Sequence, residues 1–136
     1  LRLCAIIAKD GEWVEPKLLR DPRAVSKPAG KKVAIRPEHL KVVKQGMLKV
    51  VHSDYGTGQL ARVDFGQLAG KTGTAQAPPK DSHAWITAFF PYKDPQIAFV
   101  ILLEHGGSGG VQAARVAKEA LQIWKDVYAP GTTALG

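Results

Sequence analysis

The run Ala69-Gly70-Lys71-Thr72-Gly73-Thr74-Ala75-Gln76 brings together one amine, two hydroxyls and two glycines between Gly70 and Thr74. Two chemistries use a glycine-flanked lysine. A phosphate-binding loop reads Gly-x-x-x-x-Gly-Lys-Thr and feeds directly into a helix, whose first N–H groups hold the phosphates. The first glycine of that pattern falls on Phe65, with Gly66 one position late. The segment from Thr74 to Pro79 also contains two prolines, which oppose a regular helix start. The other chemistry is acyl transfer through a serine, with a Lys-Thr-Gly strand lining the cleft. The residues favour the second.

Such a reaction needs a nucleophile, a base and donors aimed at the developing oxyanion. Lys71 can hold positive charge beside the reacting centre and orient a neighbouring hydroxyl. Thr72 and Thr74 offer two hydroxyls able to grip a carboxylate, and Gly73 removes a side chain where a substrate backbone approaches. An edge strand adds N–H groups for the oxyanion and lets a peptide pair alongside. The plain alternative is a lysine and two threonines on an exposed strand that ends in a turn.

The elements that position this strand are legible from periodicity. Leu1 to Lys9 reads as the last turns of a helix, with Leu1, Cys4, Ala5 and Ala8 on one stripe and Asp10-Gly11 as the stop. A chain opening mid-helix is expected to be a piece of a longer protein. Trp13 to Leu19 suggests a short edge strand limited by Pro16. Asp21 to Lys32 is a basic, proline-containing connection, and the basic stretch continues to about residue 35. Pro37-Glu38-His39 opens a helix, with proline suited to the first position and Glu38 to the dipole. Its expected buried stripe is Leu40, Val43, Met47 and Val50, with Lys41, Lys44 and Lys49 off it, and its end falls near His52 to Asp54. Gly46 costs this helix about 1 kcal/mol of propensity relative to alanine.

Tyr55 to Gly58 reads as a turn, and Phe65 to Ala69 leads into the lysine-bearing strand. Ala75 to Ser82 suggests a polar connection, His83 to Phe90 a strand, and Pro91 to Gln96 a hairpin turn. The apolar run Ile97 to Leu103 reads as a central strand covered on both faces. The glycine-rich stretch from His105 to Gly110 reads as a pliable link. Val111, Ala114, Ala117, Leu121, Trp124 and Tyr128 then define a closing helix over 111–128, stopped by Pro130-Gly131. Short links between the strands predict antiparallel pairing in an α/β (α+β) fold.

The 136 residues suit one core, and the apolar run of Ile97 to Leu103 is far too short to span a membrane. The single cysteine, Cys4, excludes an internal disulfide framework and reads as a buried inert thiol. The net charge is +7, and its excess lies in residues 1–62, which hold 13 Lys and Arg against 6 Asp and Glu. The basic segment Lys17 to Lys49 suits an anionic membrane surface or an anionic polymer, and no nucleic-acid motif accompanies it. The histidines at 39, 52, 83 and 105 lack a metal spacing and read as structural. No metal and no cofactor are expected. Trp124 is expected in the core, with Trp85 divided between core and groove.

The stretch Leu68 to Gln76 resembles the third signature of class B penicillin-binding proteins. The segments His83 to Tyr92, Pro95 to Ala98 and Leu102 to Gly107 fit the same family, and Asp10-Gly11 and Gly56-Thr57-Gly58 resemble it more loosely. The likeness spans most of the chain and is most specific over residues 66–110. The Leu-Glu-His-Gly-Gly segment resembles the elongation-type D,D-transpeptidases. The resemblance implies an antiparallel sheet packed with helices, in the penicillin-binding and β-lactamase-like fold. It implies catalytic roles for Lys71 and Thr74, whose N–H forms half of an oxyanion hole, and substrate contacts from Thr72, Gly73, Thr74 and Ala75. It further implies peptidoglycan stem peptides and β-lactams as ligands, elongation-complex membrane proteins as partners, and the periplasmic face of the bacterial inner membrane, with the anchor outside this chain.

The chain departs from the family in one respect that decides what it can do alone. Family members carry Ser-x-x-Lys and Ser-x-Asn upstream. None of Ser26, Ser53, Ser82 and Ser108 has lysine three positions later, and the chain contains no asparagine. The expectation is therefore the C-terminal portion of a single transpeptidase domain, inactive by itself and completed by an upstream portion that carries both motifs. The alternative is a non-catalytic peptide- or protein-binding module of the same fold.

Overall fold

A computed structural model describes residues 1–16 and 30–128. Three antiparallel strands form its centre: β1 (Ala69–Ala77), β2 (Lys80–Phe90) and β3 (Ile97–Leu103), in the order β1-β2-β3. The antiparallel sheet matches expectation, with two shifts of position. The segment read as a connection from Ala75 to Ser82 is a hairpin: β1 runs on to Ala77, Pro78 and Pro79 make the turn, and β2 begins at Lys80. The run Ile97 to Leu103 is not central. It pairs only with β2 among the described residues, and its side chains are mostly half-buried. A continuous apolar run therefore marks a strand whose outer side lacks a neighbour here.

Residues alternate across the two faces of a strand. Ala69, Lys71 and Gly73 share one face with Phe89, Thr87 and Trp85, their partners on β2. Gly70, Thr72 and Thr74 share the other with Ala88, Ile86 and Ala84. The first face is covered by α1 (Arg2–Ala8) and α2 (Pro37–His52), whose Cys4, Ala8 and Met47 pack with Ala69 and Phe89. The second is covered by α3 (Ala114–Tyr128), where Ala114, Ala117 and Leu121 pack with Ile86 and Phe90. Phe90 receives Phe65 and Trp124 edge-on, at centroid distances of 5.6 and 5.9 Å.

The helices follow their predicted bounds, but not every predicted stripe. In α1, Cys4, Ile6 and Ala8 are buried while Leu1 is exposed. In α2, Leu40, Met47 and Val51 are buried, and Val43 is exposed instead. The helix is therefore rotated, so that Val43 and Val50 border an open cavity. The closing helix opens with a π-helical turn at Gly109–Ala113, and Val111 and Tyr128 are exposed at its two ends. Trp124 is half-buried. Beside the expected edge strand, Glu12 and Lys32 form a bridge, flanked by Trp13 N–H donating to Lys31 O at 2.8 Å. Trp13 to Pro16 form no strand, while residues 17–19 of the expected strand, most of the basic connection and the Pro130-Gly131 stop lie outside the described residues.

Lys44 is the principal departure from a solvated basic face. Its side chain is only 13% exposed. Its ammonium donates to Asp10 Oδ1 at 2.9 Å and to the Ala8 carbonyl at 3.3 Å, and lies 5.8 Å from the Phe89 ring centroid. It thus ties α2 to the C-terminal end of α1, where a cation meets the helix dipole and an open carbonyl. Cys4 is buried as expected, and burial raises its thiol pKa against a smaller opposing hydrogen bond from Thr87. Replacing Lys44 with alanine should cost about 1–3 kcal/mol, the usual worth of hydrogen bonds to a charged group. A lower urea midpoint would register it, and Lys41→Ala, exposed on the same helix, should change nothing measurable.

Candidate functional site

Lys71, Thr72, Gly73, Thr74 and Ala75 all lie on β1, so the strand's pleat decides what each meets. Lys71 and Thr87 border an apolar cavity of about 480 Å³ between the sheet, α1 and α2. Leu3, Cys4 and Ile7 line it from α1, and Val43, Gly46, Met47 and Val50 from α2. Lys71 Nζ donates to the Thr72 carbonyl at 2.5 Å and makes no ion pair among the described residues. Among the described residues β1 is an edge of the sheet. Thr72 and Thr74 are two residues apart, so the carbonyl that Lys71 reaches and the N–H of Thr74 face the same side of the strand.

Thr72 is not the open hydroxyl the sequence suggested. It is 9% exposed, and its Oγ1 lies 2.7 Å from Thr57 Oγ1. Thr74 is exposed, and its Oγ1 accepts the Gly109 N–H at 3.2 Å. Gly73 backs onto the Trp85 Cβ, and Ala75 is exposed beyond it. The backbone of Gly109 is pressed so closely on the Gly73 and Trp85 carbonyls that a Cβ there would collide with both. The Gly106–Gly110 stretch is therefore a packed contact at this end, not the pliable link expected of it.

Two contributors were missed. Thr57 reads as a turn residue, and nothing in a Gly-Thr-Gly triplet announces a bond to a strand 15 positions on. Arg62 closes the end of α2: its Nε donates to Val51 O at 2.6 Å and its guanidinium to Ser53 O at 3.0 Å. Two of the histidines meet. His105 N–H donates to His83 Nδ1 at 2.9 Å, and the rings lie 4.6 Å apart, with His83 opposite Ala75 in the ladder. Trp85, 37% exposed, lies opposite the exposed Leu102 on the Lys71 face of the sheet.

With this arrangement described, the family model for the penicillin-binding protein transpeptidase domain matches residues 1–122. The chain belongs to the penicillin-binding protein transpeptidase family. It is 32% identical over 103 residues to peptidoglycan D,D-transpeptidase MrdA of Haemophilus influenzae, covering 64% of this chain and 16% of that protein. It superposes on Pseudomonas aeruginosa PBP2, solved in complex with WCK 5153, with a TM-score of 0.76 and 32% identity, covering 90% of this chain and 28% of that one. A complex of PBP2 with MreC from Helicobacter pylori gives a TM-score of 0.75 and 31% identity, over 94% of this chain and 24% of that one. The chain thus spans well under a third of the length of these relatives. The transpeptidase fold and the penicillin-binding protein family both agree with the reading of the motif.

The end of α2 beside this site carries a titration. His52 Nε2 is buried and has no hydrogen-bond partner among the described residues. Burial lowers its pKa below the ordinary histidine value, the Arg62 charge lowers it further, and a backbone hydrogen bond with Leu68 opposes both. The unfolded chain therefore takes up a proton before the folded one does, and stability rises with pH in that window. The domain should lose stability as the pH falls below about 6.5, the ordinary histidine value. Urea midpoints at pH 7.5 and 5.5 should converge in His52→Gln; an unchanged gap would assign the pH dependence to other groups.

Proposed function

We propose that the chain is the C-terminal portion of a peptidoglycan D,D-transpeptidase domain, and that β1 forms one wall of its acyl-transfer cleft. One observation carries the reading: Lys71 lines an apolar cavity from a strand that has a free edge among the described residues, in a chain of this family. The nucleophile comes from the preceding part of the protein. Its serine Oγ attacks the penultimate D-alanine carbonyl of a donor stem peptide. The bond to the terminal D-alanine breaks, that amine leaves with a proton, and an ester remains. An acceptor amine then attacks the ester carbonyl and releases the serine hydroxyl. A β-lactam ring opens by the same first step and stays attached.

In this reading Lys71 supplies positive charge to the serine and its base, where charge develops. The Thr74 N–H supplies half of the oxyanion hole, with the serine's own N–H as the other half. Thr72 and Thr74 take the ligand carboxylate, while Gly73 and Ala75 leave room for peptide backbone along the open edge. The apolar cavity and the unpaired side of β3 support a docking place for the preceding portion, which would bring Ser-x-x-Lys and Ser-x-Asn. The likeness to a PBP2 that forms a complex with MreC supports an elongation-type enzyme with membrane-protein partners, working at the periplasmic face of the inner membrane.

Penicillin and intact-mass measurement test the chemistry. The full-length protein should gain one β-lactam mass on a serine outside this chain. Lys71→Ala should slow that gain by about 100-fold or more, the usual loss when one electrostatic contributor is removed. An unmodified full-length protein that is otherwise folded would turn the reading toward a non-catalytic peptide- or protein-binding module.

Gly46 tests the docking place. A Cβ at Gly46 meets nothing within 4 Å, and Gly46 lines the cavity. Gly46→Ala should therefore stabilise this chain alone by up to about 1 kcal/mol of helix propensity. The same methyl should weaken binding of the separately produced preceding portion. Undiminished binding would put that portion elsewhere.

A further inference from the structure

We propose that Thr57 is a positioning residue for the carboxylate site: its hydroxyl donates to Thr72 Oγ1 and leaves the Thr72 proton free for the ligand. This rests on the reading of Thr72 and Thr74 as the carboxylate-binding hydroxyls. The two oxygens lie 2.7 Å apart, the usual O–H···O distance, in a part-buried position. A hydroxyl has one proton to give, so within the pair only one oxygen donates. A carboxylate only accepts. Once it arrives, Thr72 must turn its proton outward, and its inward lone pair then needs a donor. Thr57 is the hydroxyl in that position.

The neighbouring hydroxyl has the same support in a form that leaves no choice of direction. Gly109 N–H donates to Thr74 Oγ1 at 3.2 Å, and an N–H cannot accept. The Thr74 proton is thereby directed elsewhere. Two hydroxyls on one face of β1 thus each have a donor behind them, from two different loops.

Those loops are fixed and touch each other. Gly58 N–H donates to the Val50 carbonyl at 2.8 Å, and a Cβ on Gly56 would collide with the same carbonyl, so the Gly56–Gly58 turn is held on the end of α2. Gly110 is pressed on the Thr57 carbonyl, so tightly that no side chain fits between. The backbone of Thr57 is therefore held on both sides, and the contact its hydroxyl makes is the one to Thr72. Its hydroxyl costs little entropy to keep in place, because the backbone around it is already fixed.

The consequence is selectivity for an anion rather than affinity for any ligand. The test uses the full-length protein and a β-lactam as its free carboxylate and as the methyl ester of that group. Second-order acylation rates are compared for the unmodified protein, Thr57→Val and Thr57→Ser. The unmodified protein should prefer the acid. Thr57→Val, which keeps shape and loses the hydroxyl, should lower the acid rate by up to about tenfold, the upper end expected for a lost hydrogen bond between neutral hydroxyls. The ester rate should stay within about twofold, which also reports that the variant is folded, and Thr57→Ser should restore the acid preference.

Equal losses for acid and ester in Thr57→Val would reduce Thr57 to a structural residue and overturn the proposal. So would an undiminished acid preference. An unmodified protein that is acylated without any acid preference would overturn the carboxylate reading of Thr72 and Thr74 itself, and the role of Thr57 with it. The ratio in the unmodified protein thus reports on the site, and its change in the variants reports on Thr57.

Discussion

The antiparallel ladder between β1 and β2 sets Lys71 opposite Thr87 and Thr72 opposite Ile86, and the rest of the site follows from that register. A slip of one residue would exchange the faces. Lys71 would turn into the layer filled by α3, and Thr72 would turn into the apolar cavity. Two fully buried side chains on opposite faces of β2 oppose the slip. Ile86 is packed under α3, and Phe89 is packed under α1 and α2. The positions of the polar site residues are therefore decided by apolar residues on the neighbouring strand. Burying a side chain of this size is worth about 1.5–3 kcal/mol, and a slip would forfeit both.

The second constraint is close backbone approach. Gly109 sits on the Gly73 and Trp85 carbonyls, Gly110 on the Thr57 carbonyl and Gly106 on the Leu103 Cβ. Three glycines of one loop thus each fill a space that excludes a side chain. The loop gains its rigidity from these contacts and from Gly107 N–H donating to Ser82 O at 2.8 Å. Flexibility of the residue type and fixity of the structure coexist here, because glycine's freedom is used to reach the contact and is then lost. The same contacts carry the Gly109 N–H to Thr74, so one loop both closes the second layer and touches the site.

Much of this was legible in the sequence. The strand-type motif, the antiparallel order, the bounds of α2 and the burial of Cys4 follow from periodicity and local chemistry. The misreadings share a cause: each concerns a face whose partner is not in the local pattern. Val43 has the spacing of a core residue but borders the cavity, because α2 is turned to place Val51 and Met47 inward. Ile97 to Leu103 has the composition of a doubly covered strand but pairs on one side only. Lys44 looked like part of a solvated face, and its inward position depends on the end of α1, 34 residues away. The Thr57–Thr72 bond joins residues 15 apart through a turn whose direction no residue type specifies.

The cavity and Lys71 are best understood together. An ammonium beside an apolar surface is costly to enclose unless it is paired. Here Lys71 lines the cavity, and its ammonium keeps one carbonyl partner and has no carboxylate among the described residues. A resident carboxylate would make the position cheap, and would also cancel the charge before any substrate arrived. Covering the cavity with apolar side chains from another segment would lower the local dielectric and strengthen whatever field Lys71 exerts. It would also bury Leu3, Val43 and Val50, whose exposure is otherwise a loss. The hydrophobic gain of completing the core and the electrostatic gain at the site thus come from one event. Folding energy can in this way offset the cost of holding an unpaired cation beside an apolar surface.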